Sequence, residues 1–422
     1  MVVLNVRSDN KLATISAFVF VSLAYATIYF SPAIPHGGQG PLLFLFFISI
    51  PLAFSKKCFQ HLDKKFFFAF IFVFLAAIPL AIKSGEGEAL DAPSRFLIIA
   101  IVFLALYRIP IDGKWVLRSA MLACLIAFIV SCHEVLITNA PRTNLGIGIL
   151  ESAYTLSMLV FICLSALIIE RDKFWKLLTI ISIIAGTIAL IQTGTRGAWL
   201  ATVITGILFI KLIATKQNNR QISFGIIIAL FFVSLGYTSS DTLRKRVNST
   251  VKEIQSYGEF KRMRATSTNL RLIYWEHAWE GFKQSPLTGL SYKDNALLKQ
   301  HFADKYKLRM TGAKDGRSSS HNEILNAMVQ KGLLGLMAII IIYLIPLKHF
   351  AKKLKSTNQT VRFYAISGIC TISAIAVSGL TEAPLMHTSV SVTYGMLMIL
   401  LYHSIRNQEL ADQKESSCSR SS

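Results

Sequence analysis

Long apolar runs separated by short polar turns dominate the chain. An apolar run of about 20 residues spans the hydrocarbon core of a bilayer, and tilt or flanking anchors widen that range. Twelve runs read as spans, near residues 13–30, 41–55, 66–82, 96–107, 115–137, 150–169, 177–193, 197–214, 222–237, 332–347, 363–381 and 388–404, the second and fourth of them short. One long polar stretch, 238–320, interrupts the series. Within it Leu272, Trp275 and Trp279 recur at helical spacing behind Asn269, a residue suited to N-capping, and predict an amphipathic helix ended by Ser285-Pro286-Leu287-Thr288-Gly289. Residues 291–317 carry no clear period and are expected to form an irregular loop over the site. No self-similarity at a fixed period points to a repeat architecture. The pattern predicts an all-α polytopic membrane protein of about 12 transmembrane helices with one large outer loop that contains amphipathic helices. Helices 1–9 occupy 1–237, the outer loop 238–320, helices 10–12 residues 321–404, and a tail 405–422.

Composition agrees: 53% of the 422 residues are hydrophobic and 16% charged, too apolar for one soluble core. Charge then orients the spans. With the N-terminus in the cytoplasm, the cytoplasmic segments hold 23 Lys and Arg, whereas the short loops opposite hold only Lys83, Arg95, Arg142 and Arg196. By the positive-inside rule both termini are cytoplasmic and 238–320 lies outside. A cleaved signal peptide is the competing reading, since Arg7 and Lys11 precede an apolar run ending near Ala24-Tyr25-Ala26. About half of the net charge of +21 is this loop bias, which serves topology and anionic lipid headgroups, so nucleic acid is not an expected partner. The outer segment has its own excess, 16 basic against 8 acidic residues, and should attract phosphates or pyrophosphates. The six cysteines form no disulfide framework or zinc spacing.

Candidate chemistry gathers at the outer rim. His36 sits in a Pro- and Gly-rich turn and reads as a solvated loop residue. Glu86, Glu88 and Asp91 could act as an acid–base pair, but a polar loop is the plainer reading. His133 and Glu134 end a span, and Arg142 follows in a Gly- and Asn-containing loop suited to contact with a ligand. Arg196 is the lone charge of the tight turn Ile191–Leu200, and a guanidinium suits bidentate phosphate binding. Arg271 stands in the first turn of the amphipathic helix, where it opposes the helix dipole but adds to anion attraction. His321 marks the boundary where the polar segment re-enters an apolar helix, followed by Asn322 and Glu323 and by two glycines, Gly332 and Gly335.

With these residues in hand the chain resembles the O-antigen ligase family. The likeness rests on T-R-G-A-W at 195–199, N-L-R at 269–271 and S-H-N-E-I-L…K-G-L-L-G at 320–335, within a matching order of spans and outer loop. The resemblance implies a GT-C-like glycosyltransferase in lipopolysaccharide biosynthesis, multi-pass in the cell inner membrane, with a periplasmic active site. It implies transfer of an O-antigen glycan from undecaprenyl pyrophosphate to a sugar hydroxyl of lipid A-core, with no cofactor and no metal. His321 is then the expected general base, Arg196 and Arg271 the pyrophosphate-binding pair, and Arg142 a supporting residue. Either Asn322 or Glu323 is expected to orient the imidazole. An O-antigen polymerase extending carrier-linked repeats shares the donor and stays open as an alternative. A transporter or flippase for a lipid-linked anion is the alternative from another class, disfavoured because the charges cluster at the rim rather than at the midplane.

Overall fold

The computed structural model describes residues 39–53, 62–109, 111–214, 248, 267–307, 309–311 and 313–421. Among them every regular element is helical: α1 (Gln39–Ala53), α2 (Lys64–Leu75), α3 (Ile78–Ser84), α4 (Asp91–Ala105), α5 (Gly113–Cys132), α6 (Ile149–Ile169), α7 (Lys173–Gln192), α8 (Arg196–Ile213), α9 (Ser267–Gln284), α10 (Tyr292–Tyr306), α11 (Glu323–Lys353), α12 (Gln359–Ser378) and α13 (Thr388–Ser421), with short 3-10 and π turns between them. Eight stretches are long and apolar enough to cross a membrane: Lys64–Ser84, Gly113–Ile137, Ile149–Ile169, Lys173–Gln192, Arg196–Ile213, Glu323–Lys353, Gln359–Ser378 and Thr388–Ser417. They overlie eight of the twelve expected spans. The expected spans at 41–55 and 96–107 are the shorter helices α1 and α4. Those at 13–30 and 222–237, the candidate cleavage site, His36 and the basic clusters between 244 and 264 lie outside the described residues.

Successive spanning helices reverse direction, so their ends collect at two opposite poles of the bundle. The starts of α6, α8, α11 and α13 and the ends of α7 and α12 share one pole, and the starts of α5, α7 and α12 share the other. A 20-residue helix such as α12 separates the poles by about 30 Å. At the second pole the helices start on side-chain caps. Asp63 accepts from Phe66 N, Asp112 from Lys114 N, Asp172 from Trp175 N, and Asn358 from Thr360 N and Val361 N. The helices α13 and α6 are the centre of the bundle, with 89% and 78% of their apolar windows buried against 22% for α8 at the edge. Leu200, Val203 and Ile207 of α8 stay exposed, as lipid-facing side chains do. Within the bundle small residues admit close packing: a Cβ on Gly368 would lie 2.5 Å from the Phe350 ring, and one on Gly186 2.8 Å from Cys124 Sγ.

The first pole carries a helical cap made of α9 and α10, and residues 291–317 correct the expected irregular loop. Ser291 caps α10 by accepting from Asp294 N, and Lys307 ends it in the left-handed region. This cap is locked into the bundle at a break in α11. Gly332 has φ 60° and ψ −145°, a conformation essentially restricted to glycine. The break frees backbone groups, and the turn joining α9 to α10 takes them up: Leu333 N donates to Pro286 O (2.7 Å) and Leu290 N to Val329 O (2.8 Å). A Cβ on Gly332 would meet the Leu287 carbonyl carbon at 2.4 Å, and one on Gly289 would meet the Gln330 carbonyl at 2.2 Å. From the side, Lys83 Nζ donates to Thr288 Oγ1 (2.6 Å) and Gly289 O (2.9 Å). The K-G-L-L-G stretch therefore serves as a notch that seats the cap over the first pole.

Candidate active site

His321 stands just before α11, in a backbone conformation that the cap and the bundle hold from both sides. Its φ is +52°, a left-handed value that costs a non-glycine residue on the order of 1–3 kcal/mol and persists only where the surroundings enforce it. Ser319 Oγ accepts from His321 N (2.9 Å), and Trp275 Nε1 donates to His321 O (3.2 Å). The Tyr274 ring meets the imidazole edge to face, centroids 5.0 Å apart. One residue later, Asn322 Oδ1 accepts from Leu325 N and caps α11.

The imidazole is oriented by Glu382, in the short turn between α12 and α13. His321 Nδ1 and Glu382 Oε2 are 2.6 Å apart. A carboxylate can only accept, so Nδ1 carries a hydrogen, and in the neutral imidazole Nε2 holds the lone pair. The side-chain exposures fit those roles, 34% for His321 and 6% for Glu382. Burial works to raise the Glu382 carboxyl, but the hydrogen bond and charge of His321, with help from Ser319, outweigh it and hold the carboxyl below its usual range. Neither residue expected to orient the imidazole does so. Asn322 is spent on the helix cap and on Leu380 O, and Glu323 is buried, accepting from Leu385 N (3.0 Å). Glu323 fixes the turn that carries Glu382, which makes it a neighbour of the pair rather than part of it. The reason is geometric: a residue on the first turn of a helix points along that helix, whereas the imidazole faces across to the α12–α13 turn.

Three arginines stand on segments that meet at this pole. Arg271 lies three and four residues before Tyr274 and Trp275, on the face of α9 that both turn toward His321. Arg196 opens α8, and its neighbour Gly197 packs so tightly on the same turn that a Cβ there would sit 2.4 Å from Thr381 Oγ1, one residue from Glu382. Arg142 braces that α8 entry, its Nε donating to Thr193 O (2.6 Å) and its Nη2 to Thr195 Oγ1 (3.3 Å). Gly194 at φ +64° makes room for the Arg142 side chain. The Arg142 loop is itself held by Glu134, whose Oε2 accepts from Thr143 Oγ1, Asn144 N and Leu145 N. Arg142 thus braces the α7–α8 turn. The expected carboxylate pair Glu86 and Glu88 is instead bonded to Arg317, each at 2.6 Å.

Sequence reasoning missed a second imidazole–carboxylate pair beside the first. His387 Nδ1 lies 2.9 Å from Glu151 Oε1. Burial pushes the His387 imidazole down, but Glu151, with the charges of Glu382 and Glu323, outweighs burial and raises it above the ordinary value. The pole therefore holds a histidine whose Nδ1 faces Glu382 and a second that favours the charged form. Under the strap leading to His321, buried Lys299 donates to Ser318 O (2.8 Å) and Ser318 Oγ (2.9 Å), and burial brings its ammonium down to about 8. Among the described residues no group of three or more His, Cys, Asp or Glu is placed to hold a metal ion.

The O-antigen ligase family model matches residues 180–340. The chain is 26% identical over 405 residues to an uncharacterized protein of Haemophilus influenzae, covering 93% of this chain and 98% of that one. It is 23% identical over 252 residues to an O-antigen ligase of Escherichia coli, covering 60% of this chain and 58% of the relative. The matched region begins before the α7–α8 turn and ends inside α11, and so takes in Arg196, Arg271 and His321 but stops short of Glu382. Residues 180–340 are thus similar to the O-antigen ligase family, in a chain whose described residues include eight helices long and apolar enough to cross a membrane.

Proposed function

We propose that the chain is an O-antigen ligase that moves a glycan from undecaprenyl pyrophosphate to a sugar hydroxyl of lipid A-core at the periplasmic face of the inner membrane. The observation that carries the chemistry is the 2.6 Å His321–Glu382 pair, and it is supported by α8 and α9, which carry Arg196 and Arg271. The acceptor hydroxyl gives its proton to His321 Nε2 as its oxygen attacks the anomeric carbon. The bond from that carbon to the pyrophosphate oxygen breaks on the opposite side, and its electron pair leaves with the lipid pyrophosphate. A single displacement of this kind inverts the anomeric centre. Glu382 stabilises the imidazolium that forms, as a carboxylate does for a histidine base. Arg196 and Arg271 hold the pyrophosphate and neutralise charge growing on the departing oxygen. The α9–α10 cap, seated at Gly332, positions Arg271 against the bundle that carries Arg196. The match to the family model and the likeness to an O-antigen ligase support the donor and acceptor classes.

The test is reconstitution of purified protein in liposomes with a carrier-pyrophosphate glycan and lipid A-core, products read by mass spectrometry. Glycan on lipid A-core, absent with His321→Ala, is the expected result. Longer carrier-linked chains with lipid A-core untouched would instead make the protein a polymerase. No product from either acceptor with folded protein would overturn the transferase reading.

A further inference from the structure

The turn between α12 and α13 gathers more charge than the base pair accounts for. Glu382 stands on it, buried and bonded to His321. Buried Glu323 reaches it from α11 and accepts from Leu385 N (3.0 Å). Glu151, on the first turn of α6, accepts from His387 Nδ1 (2.9 Å) at the end of the same turn. Three carboxyl groups from three elements thus meet one short turn. Carboxylates crowded away from water oppose one another's ionisation unless a cation lies among them.

The charges that face His387 come from every element packed on the turn. Glu151 of α6 acts on it by hydrogen bond and charge, and Glu382 and Glu323 act on it by charge. From α4, Asp91 accepts from Thr388 Oγ1 (2.8 Å) and is already paired with Arg95 (2.8 Å). Lys331 acts on Glu323, and His321 on Glu382. His387 is therefore the group that all three carboxyls share. Its Nε2 is buried without a partner among the described residues, so the ring works through Nδ1 and through its charge rather than on a substrate.

We propose, resting on the transferase reading above, that His387 is a positioning residue for the base pair: bonded to Glu151, it ties the turn to α6, and as an imidazolium it is the countercharge that keeps Glu382 a carboxylate facing His321. A positive charge at this place opposes addition of a proton to the His321–Glu382 pair as a whole. Without it the pair holds its proton to higher pH, where a protonated pair cannot serve as base.

His387→Gln keeps a hydrogen-bonding side chain and removes the charge, and His387→Asn takes its place if the glutamine variant does not fold. Reconstituted transfer and thermal melts are measured on the same proteins between about pH 6 and 9. The variant's kcat should fall about tenfold below wild type at the acid end and come within about twofold of it at the alkaline end, with KM unchanged. His387→Lys, which keeps the charge, should restore the acid end. A loss equal at every pH, no loss at any pH, or a lysine variant no better than the glutamine one would overturn the proposal. The melts answer independently of activity. The carboxyls raise the His387 imidazole, so its stabilisation is complete below the ordinary histidine value of about 6.5 and is lost as pH rises through the folded value. Wild type should therefore outmelt His387→Gln most at the acid end. No product from wild type with that melting pattern intact would overturn the transferase reading alone, whereas parallel melting curves would overturn the countercharge whatever the activity.

Discussion

The two poles of the bundle are built from the ends of the same helices yet solve different problems. At the far pole side chains serve the fold: Asp63, Asp112, Asp172 and Asn358 close helix starts, and Lys353 pairs with Glu409 at 2.6 Å. At the His321 pole side chains are set against local preference. A histidine adopts φ +52°, α11 breaks at Gly332, and Arg196 opens α8, where the helix dipole disfavours it. One pole spends its polar groups on helix ends, and the other holds strained backbone at His321 and Gly332, which persists only where the surroundings enforce it.

Substitutions can break that contrast. The largest effect is expected at the notch. Gly332→Ala demands φ +60° of a residue with a Cβ and drives that Cβ into Leu287, so it should unseat the cap and leave little monodisperse protein on size-exclusion chromatography. Recovery of normal amounts of active protein would show that the cap is not held there. At the arginines the expected loss is catalytic. Arg271→Lys keeps the charge and removes the planar fork, so transfer should fall about 10- to 100-fold with the melting temperature unchanged, and a wild-type rate would remove Arg271 from the pyrophosphate site. The far pole should show the reverse. Asp63→Ala loses the α2 cap and should cost about 1 kcal/mol of stability with kcat unchanged, checked by thermal melts beside transfer assays.

The smallest effect concerns Lys299. Its folded pKa of about 8 lies below the unfolded value, so between about pH 8 and the unfolded pKa the unfolded chain binds the additional proton. Stability from this group therefore rises with pH across that window. Wild-type melting temperature should gain a few degrees on Lys299→Met between pH 7.5 and 9.5. Parallel curves would show that the ammonium is not held where Ser318 places it.

Much of this was legible in the sequence, and the gaps have physical reasons. His321, Arg196 and Arg271, the residues we propose for the site, stand out in the sequence because each is a charge or titratable group at the rim of an apolar run, where it is expensive without a purpose. Glu382 obeys the same rule, as the only acid of the turn T-E-A-P-L-M-H, but it stands 61 residues from His321 and no local spacing joins them. Tertiary pairing, not helix register, chose the partner. The helix α10 was missed because its buried face, Ala296, Lys299, Phe302 and Ala303, has a lysine in place of an apolar residue. Its start was nonetheless written as Ser291 followed by Asp294, a capping pattern. Gly332 and Gly335 are visible as a motif, but the notch at Gly332 needs the α9–α10 turn, which lies far upstream and which no local spacing ties to it.

The central claim is that His321 and Glu382 act as one base. It is tested most directly by kcat for reconstituted transfer with His321→Ala, Glu382→Gln and the double variant, at constant pH and with folding checked by thermal melts. General-base catalysis is worth about 10²- to 10⁴-fold, so His321→Ala should lose that much, and Glu382→Gln a substantial part of it. The double variant should be no worse than His321→Ala alone, because residues that act as a unit do not add. Losses that multiply in the double variant, or a His321→Ala protein that keeps wild-type transfer, would contradict the account.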